Sequence, residues 1–282
     1  MWAPARNGSG PLLRSNYLDK GELLKNIKLF VLDLDGTFYI GNRIFPYSLR
    51  FLKRVLDTGR RFLFFTNNSS ETPVYYLEKL RGMGVQLSRD EIVTSGDVCI
   101  DFLNSNHKGA SVYLMGTEAL SEQFKSAGIR FFNAEQGIPD VVVCAFDKEL
   151  TYAKLERACT YIREGAVFLA THEDINCPVE DGFIPDLGAM CAAITLSTGR
   201  EPRYLGKPHK ETLDIIIEVT GFGCEEIAFV GDRLYTDVAC GVNNGATGIL
   251  VLSGETKAED VVKSPVKPDM VFSDLKEIAD LL

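Results

Sequence analysis

The chain has 282 residues and a formal net charge of −9 at pH 7, with 45% hydrophobic and 24% charged residues. A chain of this length can bury a large core in one large domain or in two ordinary ones. Its acidic balance argues against nucleic acid or an anionic membrane surface as the partner, and no apolar run approaches the ~20 residues that span a bilayer.

The N-terminal residues and the cysteines indicate a cytoplasmic protein. The first ten residues lack the apolar core of a signal peptide, and we expect residues 1–20 to form an arm outside the folded core. Seven cysteines, odd in number and without a C-x-x-C pair, favour reduced thiols. The three histidines, His107, His172 and His209, give little support to a zinc site.

The first predicted strand begins at Leu29 and runs directly into Asp33 and Asp35, which Gly36 and Thr37 follow. A continuous apolar run of this kind predicts a strand that is buried on both faces. In an open parallel sheet, ligands bind beyond the carboxyl ends of the strands. Two carboxylates this close repel each other unless a cation compensates them, and Mg2+ is the natural partner. The same pair also occurs as a turn or a helix cap.

The next elements repeat the pattern of an apolar strand that ends in small polar residues. A helix is predicted from Tyr47 to Thr58, and the strand from Arg61 leads to the sequence Thr66-Asn67-Asn68. A second helix should begin after Thr72, with Pro73 in its first position and Gly82 near its end. Strand, helix and strand this close together predict a right-handed crossover with parallel strands. By themselves, residues 66–68 are equally typical of a turn.

Residues 98–201 have an alternating strand and helix pattern of their own. The predicted strands are Ala110–Met115, Val141–Ala145 and Ala166–Ala170, and the predicted helices are Glu118–Ala127, Thr151–Arg163 and Gly188–Ser197. About 100 residues are enough to form a domain. We therefore divide the chain into an arm (1–20), a first core segment (21–97), an inserted domain (98–201) and a second core segment (202–282).

The second core segment carries two more polar strand ends. A short strand ends at Lys207, and the strand from Glu226 to Val230 leads into Asp232. Helices are predicted over residues 211–220 and 236–243, and further strands over residues 247–252 and 268–272. Alone, the lysine reads as a surface residue and the aspartates as helix caps. Together, the four strand ends predict a site that binds a phosphate and a metal ion.

The chain resembles the haloacid dehalogenase (HAD) superfamily. The matching motifs are Asp33-Leu-Asp35-Gly36-Thr37, Thr66-Asn67-Asn68, Lys207, and Gly231-Asp232 with Asp237. The sequences Leu150-Thr-Tyr-Ala-Lys, Phe168-Leu-Ala-Thr and Gly231-Asp-Arg-Leu-Tyr-Thr-Asp are similar to those of the NagD/4-nitrophenylphosphatase-like branch. The resemblance spans residues ~28–282. It implies a doubly wound, Rossmann-like parallel-sheet core with an inserted α/β cap of the C2 type.

The resemblance also implies roles for the aspartates. Asp33 would attack the phosphorus, and Asp35 would protonate the leaving oxygen and then activate a water molecule. Mg2+ would be held by Asp33, the Asp35 backbone carbonyl and Asp232. Asp237 would position water on the metal or orient Lys207.

The remaining core motifs would bind the phosphate. By resemblance, Thr66 and the backbone amide of Asn67 would donate hydrogen bonds to phosphate oxygens, and Asn68 would shape the same loop. Lys207 would add positive charge to the transferring group.

Two cap residues depart from the pattern of the family. Its segment over the active site reads Thr-Asn-x-Asp and then Pro-Gly-x-Gly, whereas this chain has His172 for the asparagine and Asp186 for the first glycine. We expect both residues to affect substrate specificity. Asp186 would repel phosphate but could accept a hydrogen bond from a hydroxyl or amine of the leaving group. Without the resemblance, the same segments would read as loop and helix caps.

We therefore expect a Mg2+-dependent phosphatase that acts on a small phosphorylated metabolite. A phosphotransferase or sugar-phosphate mutase would use the same aspartyl-phosphate, so it remains an alternative. A non-catalytic metabolite-binding protein is a second alternative, which the intact set of acidic residues and Lys207 disfavours. A homodimer through the cap is expected by analogy with the family.

Overall fold

The computed structural model describes residues 20–133, 135, 137–179 and 182–282. Residues 1–19 of the expected N-terminal arm lie outside the described residues, and residues 20–25 are helical. Within these ranges, no helix combines the length and the hydrophobicity that crossing a membrane requires.

The strands and helices alternate along the chain. The strands are β1 (Leu29–Leu32), β2 (Tyr39–Ile40), β3 (Arg43–Ile44), β4 (Arg61–Thr66), β5 (Ile92–Thr94), β6 (Val112–Met115), β7 (Val141–Cys144), β8 (Val167–Ala170), β9 (Asn176–Val179), β10 (Gly182–Pro185), β11 (Arg203–Tyr204), β12 (Ile227–Gly231), β13 (Thr247–Val251) and β14 (Met270–Phe272). The α-helices are α1 (Ser48–Asp57), α2 (Pro73–Gly82), α3 (Ser95–Asn106), α4 (Glu118–Ser126), α5 (Tyr152–Arg163), α6 (Leu187–Thr198), α7 (Lys210–Thr220), α8 (Ala239–Asn244), α9 (Ala258–Lys263) and α10 (Leu275–Ala279).

A six-stranded parallel sheet forms the core, in the order β14-β13-β12-β1-β4-β5. Strand β1 lies between β12 and β4, with Leu29 paired to both Ile227 and Arg61. Phe30 and Leu32 pack into one apolar cluster and Leu29 and Val31 into another, so β1 is buried on both faces. The predicted doubly wound parallel sheet is confirmed, and the chain reverses its winding direction at β1, where ligands bind in such folds.

The smaller sheet has the parallel order β11-β8-β7-β6, in which β6, β7 and β8 come from the inserted segment. Its strands and helices agree with the predicted ones to within about two residues. The sequence did not predict the antiparallel hairpin of β9 and β10. Helix α3 crosses the predicted boundary at residue 97, and β11 pairs with β8 although it follows the boundary at 201. The division into domains stays a prediction.

Packing and hydrogen bonds join the two sheets. One apolar cluster contains Val31 of β1, Leu103 of α3 and Val143 of β7. The loop after β4 is also bonded to the smaller sheet, because the Ser69 hydroxyl lies 2.8 Å from that of Thr171. These contacts hold the inserted domain over the carboxyl end of the larger sheet.

Candidate active site

A narrow polar pocket lies at the carboxyl ends of β1 and β4. Its lining residues are Asp33, Asp35, Thr66, Asn67, Asn68, Asp174, Cys177, Pro178, Asp186, Lys207, Arg233, Thr236 and Asp237. The structure therefore brings most of the sequence-predicted site residues together. Asp232 and His172 do not line this pocket, but each contacts residues that do.

The turn after β1 fixes the two aspartates of the first motif. The Asp33 amide donates to Val230 O at 2.9 Å and so extends the ladder to β12. The Gly36 amide then donates to Tyr39 O at 2.8 Å and closes the turn. Gly36 has φ +86°, and a Cβ there would lie 2.5 Å from Asp232 Oδ2. Only glycine permits this close approach of the turn to Asp232.

Three carboxylates and one lysine meet in the floor of the pocket. Carboxylate oxygens of Asp33, Asp232 and Asp237 lie within 4.8 Å of one another. Lys207 Nζ donates to Asp33 Oδ1 at 2.7 Å and to Asp237 Oδ1 at 2.5 Å. Lys207 is only 3% exposed. Burial by itself lowers the pKa of Lys207, but the Asp237 and Asp33 carboxylates outweigh it and hold that pKa above its usual range.

The surroundings of Asp33 and Asp232 disfavour the charged form of both carboxyl groups. Burial raises the pKa of Asp33, and repulsion from Asp237 and Asp232 adds to this effect while Lys207 opposes it. Burial, followed by repulsion from Asp237, raises the pKa of Asp232 to about 7. A divalent cation among these oxygens would offset the cost of burying three carboxylates beside one lysine. The all-oxygen donor set is the one that Mg2+ prefers.

Asp35 has contacts that the sequence did not predict. The Tyr39 hydroxyl donates to Asp35 Oδ2 at 3.3 Å, and Lys79 Nζ lies 4.0 Å from the centroid of the Tyr39 ring. Burial raises the pKa of Asp35, whereas Lys79 and the Tyr39 hydrogen bond oppose the rise. A raised pKa favours the protonated carboxyl, as a general acid requires.

The loop after β4 is held by the side chain of Asn67. Its Oδ1 accepts from the Lys207 amide at 2.9 Å, and its Nδ2 donates to Lys207 O at 3.0 Å and to Asp174 Oδ1 at 3.3 Å. Thr66 Oγ1 accepts from the Asn68 amide at 3.1 Å. The Asn67 side chain therefore couples β4 to Lys207 and to the inserted domain.

Arg233 is a lining residue to which sequence reasoning gave no role, although it stands within a motif. Its Nη1 donates to Asp174 Oδ2 at 3.4 Å, and its Nε lies 2.9 Å from Glu255 Oε2. The arginine thus connects the loop after β12 with the inserted domain. The sequence did offer a signal for a role of Arg233 in the site, because this arginine directly follows Asp232.

The roof of the pocket comes from the inserted domain. Asp186 Oδ1 accepts from the Leu187 amide at 2.7 Å and caps α6. Asp186 lines the pocket together with Asp174, and the predicted role of His172 and Asp186 in substrate specificity stays a prediction. His172 is fully buried behind them, with Nε2 3.6 Å from Asp186 Oδ1 and Nδ1 3.8 Å from Asp174 Oδ2. Burial lowers the pKa of His172 and raises that of Asp174 to about 6.

The geometry agrees with comparisons to known proteins. Residues 30–130 match the model of the haloacid dehalogenase-like hydrolases, and residues 204–278 match a second HAD-hydrolase-like model. An acid sugar phosphatase of Staphylococcus aureus is 37% identical over 259 residues, which are 92% of this chain and 99% of that protein.

Solved structures agree with these matches. The 4-nitrophenylphosphatase of Thermotoga maritima has a TM-score of 0.87 and 45% identity, covering 92% of this chain and 98% of its own. A glycerol phosphate phosphatase of Mycobacterium tuberculosis in complex with magnesium has a TM-score of 0.83 and 28% identity, covering 91% of this chain and 77% of its own.

The chain belongs to the haloacid dehalogenase-like hydrolases. Within them it falls in the NagD/4-nitrophenylphosphatase-like branch. The expected class of enzyme, a phosphatase of phosphomonoesters, is confirmed.

Proposed function

We propose that this phosphatase hydrolyses small sugar or polyol phosphates, with Asp33 as the nucleophile. The observation that carries the assignment of Asp33 is its contact with Lys207 Nζ at 2.7 Å, beside the carboxylates of Asp232 and Asp237. A carboxylate held by a buried cation at the end of a parallel strand is poised to attack a bound phosphate.

In the first step, an Asp33 oxygen attacks the phosphorus while the bond from phosphorus to the leaving oxygen breaks. Asp35 gives its proton to that oxygen. In the second step, Asp35 takes a proton from a water molecule, the water oxygen bonds to phosphorus, and the bond from phosphorus to the Asp33 oxygen breaks. This releases inorganic phosphate and restores the Asp33 carboxylate. Lys207, the Thr66 hydroxyl and the Asn67 amide stabilise the charge that develops on the phosphoryl oxygens.

The residues present fit a Mg2+ ion. Asp33, Asp232 and the Asp35 backbone carbonyl would hold it, and once bound it would neutralise carboxylate and phosphate charge. Both oxygens of Asp237 accept hydrogen bonds, one from Lys207 Nζ and one from the Arg233 amide at 3.2 Å. These bonds support the role of Asp237 in orienting Lys207.

The roof of the pocket supports a hydroxylated leaving group. Asp174 and Asp186 line this side, and carboxylates accept hydrogen bonds from hydroxyls but repel a second anionic group. The name of the Staphylococcus aureus relative, an acid sugar phosphatase, agrees with this class. The homodimer and the cytoplasmic location stay predictions from the sequence.

Phosphate release from 4-nitrophenyl phosphate and from a panel of sugar and polyol phosphates tests the proposal. We expect Mg2+-dependent release by the wild type and a rate lower by ~10³-fold or more in Asp33→Asn. Asp57→Asn serves as the matched control, because Asp57 lies on the exposed side of α1 in a pair with Lys53.

Two results would contradict the proposal. Equal rates for the wild type and Asp33→Asn would show that Asp33 is not the nucleophile. Recovery of the phosphoryl group on a second sugar instead of as free phosphate would establish the phosphotransferase alternative.

A further inference from the structure

Three residues in the roof of the pocket form a compact group, which we call the cap triad: His172, Asp174 and Asp186. The first two lie on the loop after β8, and Asp186 begins α6. A ring nitrogen of His172 and one oxygen from each carboxylate lie within 4.8 Å of one another. The cap triad shares no residue with the carboxylates of the pocket floor.

His172 is the unusual member of the cap triad. Its side chain is fully buried, yet neither Nδ1 nor Nε2 has a hydrogen-bond partner among the described residues. The carboxylates of Asp174 and Asp186 are nearest, at 3.8 Å and 3.6 Å, and both distances are too long for a hydrogen bond. Native proteins pair almost all of their buried polar groups. An imidazole left unpaired between two carboxylates therefore indicates a missing ligand.

The spacing of the cap triad suits a metal ion. Metal bonds to nitrogen and oxygen of ~2.0–2.1 Å in a tetrahedral site place two donor atoms ~3.4 Å apart. The 3.6 Å from His172 Nε2 to Asp186 Oδ1 is close to this value. The 3.8 Å contact with Asp174 Oδ2 is made by the other ring nitrogen, Nδ1, but one nitrogen and one oxygen of each carboxylate still lie within 4.8 Å of one another. A common ion would bond one ring nitrogen of His172, and a rotation of the imidazole or of one carboxylate would bring the third donor atom within reach.

The charges around the cap triad also favour a cation. Asp174 receives hydrogen bonds from Asn67 and from Arg233 at 3.3–3.4 Å. Asp186 receives one from the Leu187 amide at 2.7 Å. Arg233 also pairs with Glu255, so its charge is shared between two carboxylates. A divalent ion would balance the two carboxylates of the cap triad.

We propose that the cap triad binds a divalent transition-metal ion of the Zn2+ type, in a second metal site apart from the Mg2+ site of the floor. An imidazole with two carboxylates is a donor set for Zn2+ and its neighbours, whereas Mg2+ prefers oxygen ligands alone. Asp174 and Asp186 line the pocket, so an ion bound by them would lie at its roof.

Calorimetric titration of the full chain with Zn2+, in the presence of excess Mg2+, tests the site without any measurement of activity. We expect one Zn2+ to bind the wild type and affinity to fall by ~10²-fold or more in His172→Asn. His107→Asn is the matched control, because His107 lies at the end of α3 and outside the cap triad. It should bind as the wild type does. Equal binding by the wild type and His172→Asn would overturn the proposal.

A measurement on the unmodified protein removes any dependence on how a variant folds. In crystals grown with Zn2+ and Mg2+, anomalous scattering at the zinc edge should give a peak among His172, Asp174 and Asp186. A peak only beside Asp33 and Asp232, or none, would overturn the proposal. The assignment of Asp33 as the nucleophile concerns the floor of the pocket, so it and the proposed zinc site can fail separately. The proposed substrate class involves the same roof carboxylates and is tested by the panel of phosphates, whereas the zinc site is tested by the metal signal alone.

Discussion

Replacing Asp232 by asparagine should make the metal-free protein more stable at neutral pH. Asp232 is 3% exposed, and burial raises its pKa to about 7. In the unfolded chain the pKa of an aspartate is ~4. The folded state therefore binds the proton of the Asp232 carboxyl more tightly than the unfolded chain does. The stability that the protonated group provides is complete below pH ~4 and is lost as the pH rises through 7. The difference corresponds to ~4 kcal/mol above pH 7.

Asparagine keeps the contacts of the carboxylate that it replaces. Asp232 Oδ2 accepts from the Glu255 amide at 2.6 Å, and Oδ1 accepts from the Thr37 hydroxyl at 3.4 Å. An asparagine oxygen can accept from the same amide, and its NH2 group can donate to the Thr37 oxygen. Gly254 packs directly against this carboxylate, because a Cβ at position 254 would lie 2.0 Å from Asp232 Oδ2.

Urea unfolding in EDTA, at about pH 4 and about pH 8, measures the effect. Asp232→Asn should match the wild type at the lower pH and exceed its free energy of unfolding by up to ~4 kcal/mol at the higher pH. Excess Mg2+ should stabilise the wild type and have little effect on the variant. If the difference between the two proteins does not change with pH, the reasoning is refuted. Asp57→Asn controls for the loss of a carboxylate at an exposed position.

Two further variants test the floor and the roof of the pocket. Lys207→Met leaves the buried carboxylate of Asp237 and the largely buried one of Asp33 without their cation. Thermal unfolding should show a loss of ~3–5 kcal/mol, and kcat should fall by ~10²-fold or more; an unchanged unfolding temperature would contradict this. Gly188→Ala would place a Cβ 2.3 Å from Glu173 O and displace the loop that carries Asp174. Its KM should rise by more than that of Gly21→Ala, whose Cβ meets nothing within 4 Å; equal KM values would mean that the loop does not contact substrate.

Strong local patterns made much of the fold predictable. The apolar run of β1 predicted a strand buried on both faces, because such a run stabilises a strand only where helices cover the sheet on both sides. Thr72 caps α2 as expected, with its side chain accepting from the Tyr75 amide at 3.3 Å and Pro73 in the first position. The predicted helix over residues 236–243 instead divides into a π-helix, Leu234–Val238, and α8.

Weak local patterns hid other parts of the structure. The hairpin of β9 and β10 has short and mostly exposed strands, so hydrophobic alternation could not identify it. The roles of Tyr39, Lys79 and Arg233 depend on which side chains they meet in space. The contact of Tyr39 with Asp35, four residues away, depends on the shape of the turn between them. The contact of Arg233 with Asp174 joins residues 59 positions apart, which no local pattern encodes.

The sequence by itself determined which chemical groups end each strand, because an apolar run followed by small polar residues specifies the strand and its terminus locally. Only the tertiary structure decided which of these ends meet. Leu32 of β1 pairs with Val230 of β12, and this parallel register brings Asp33 next to Asp232 from the other half of the chain. Likewise, the hairpin of β9 and β10 lies between His172 and Asp186 in the chain. It brings Asp186 Oδ1 to 3.6 Å from His172 Nε2. Contacts between residues far apart in sequence arise from sheet register and packing, which a local pattern does not specify.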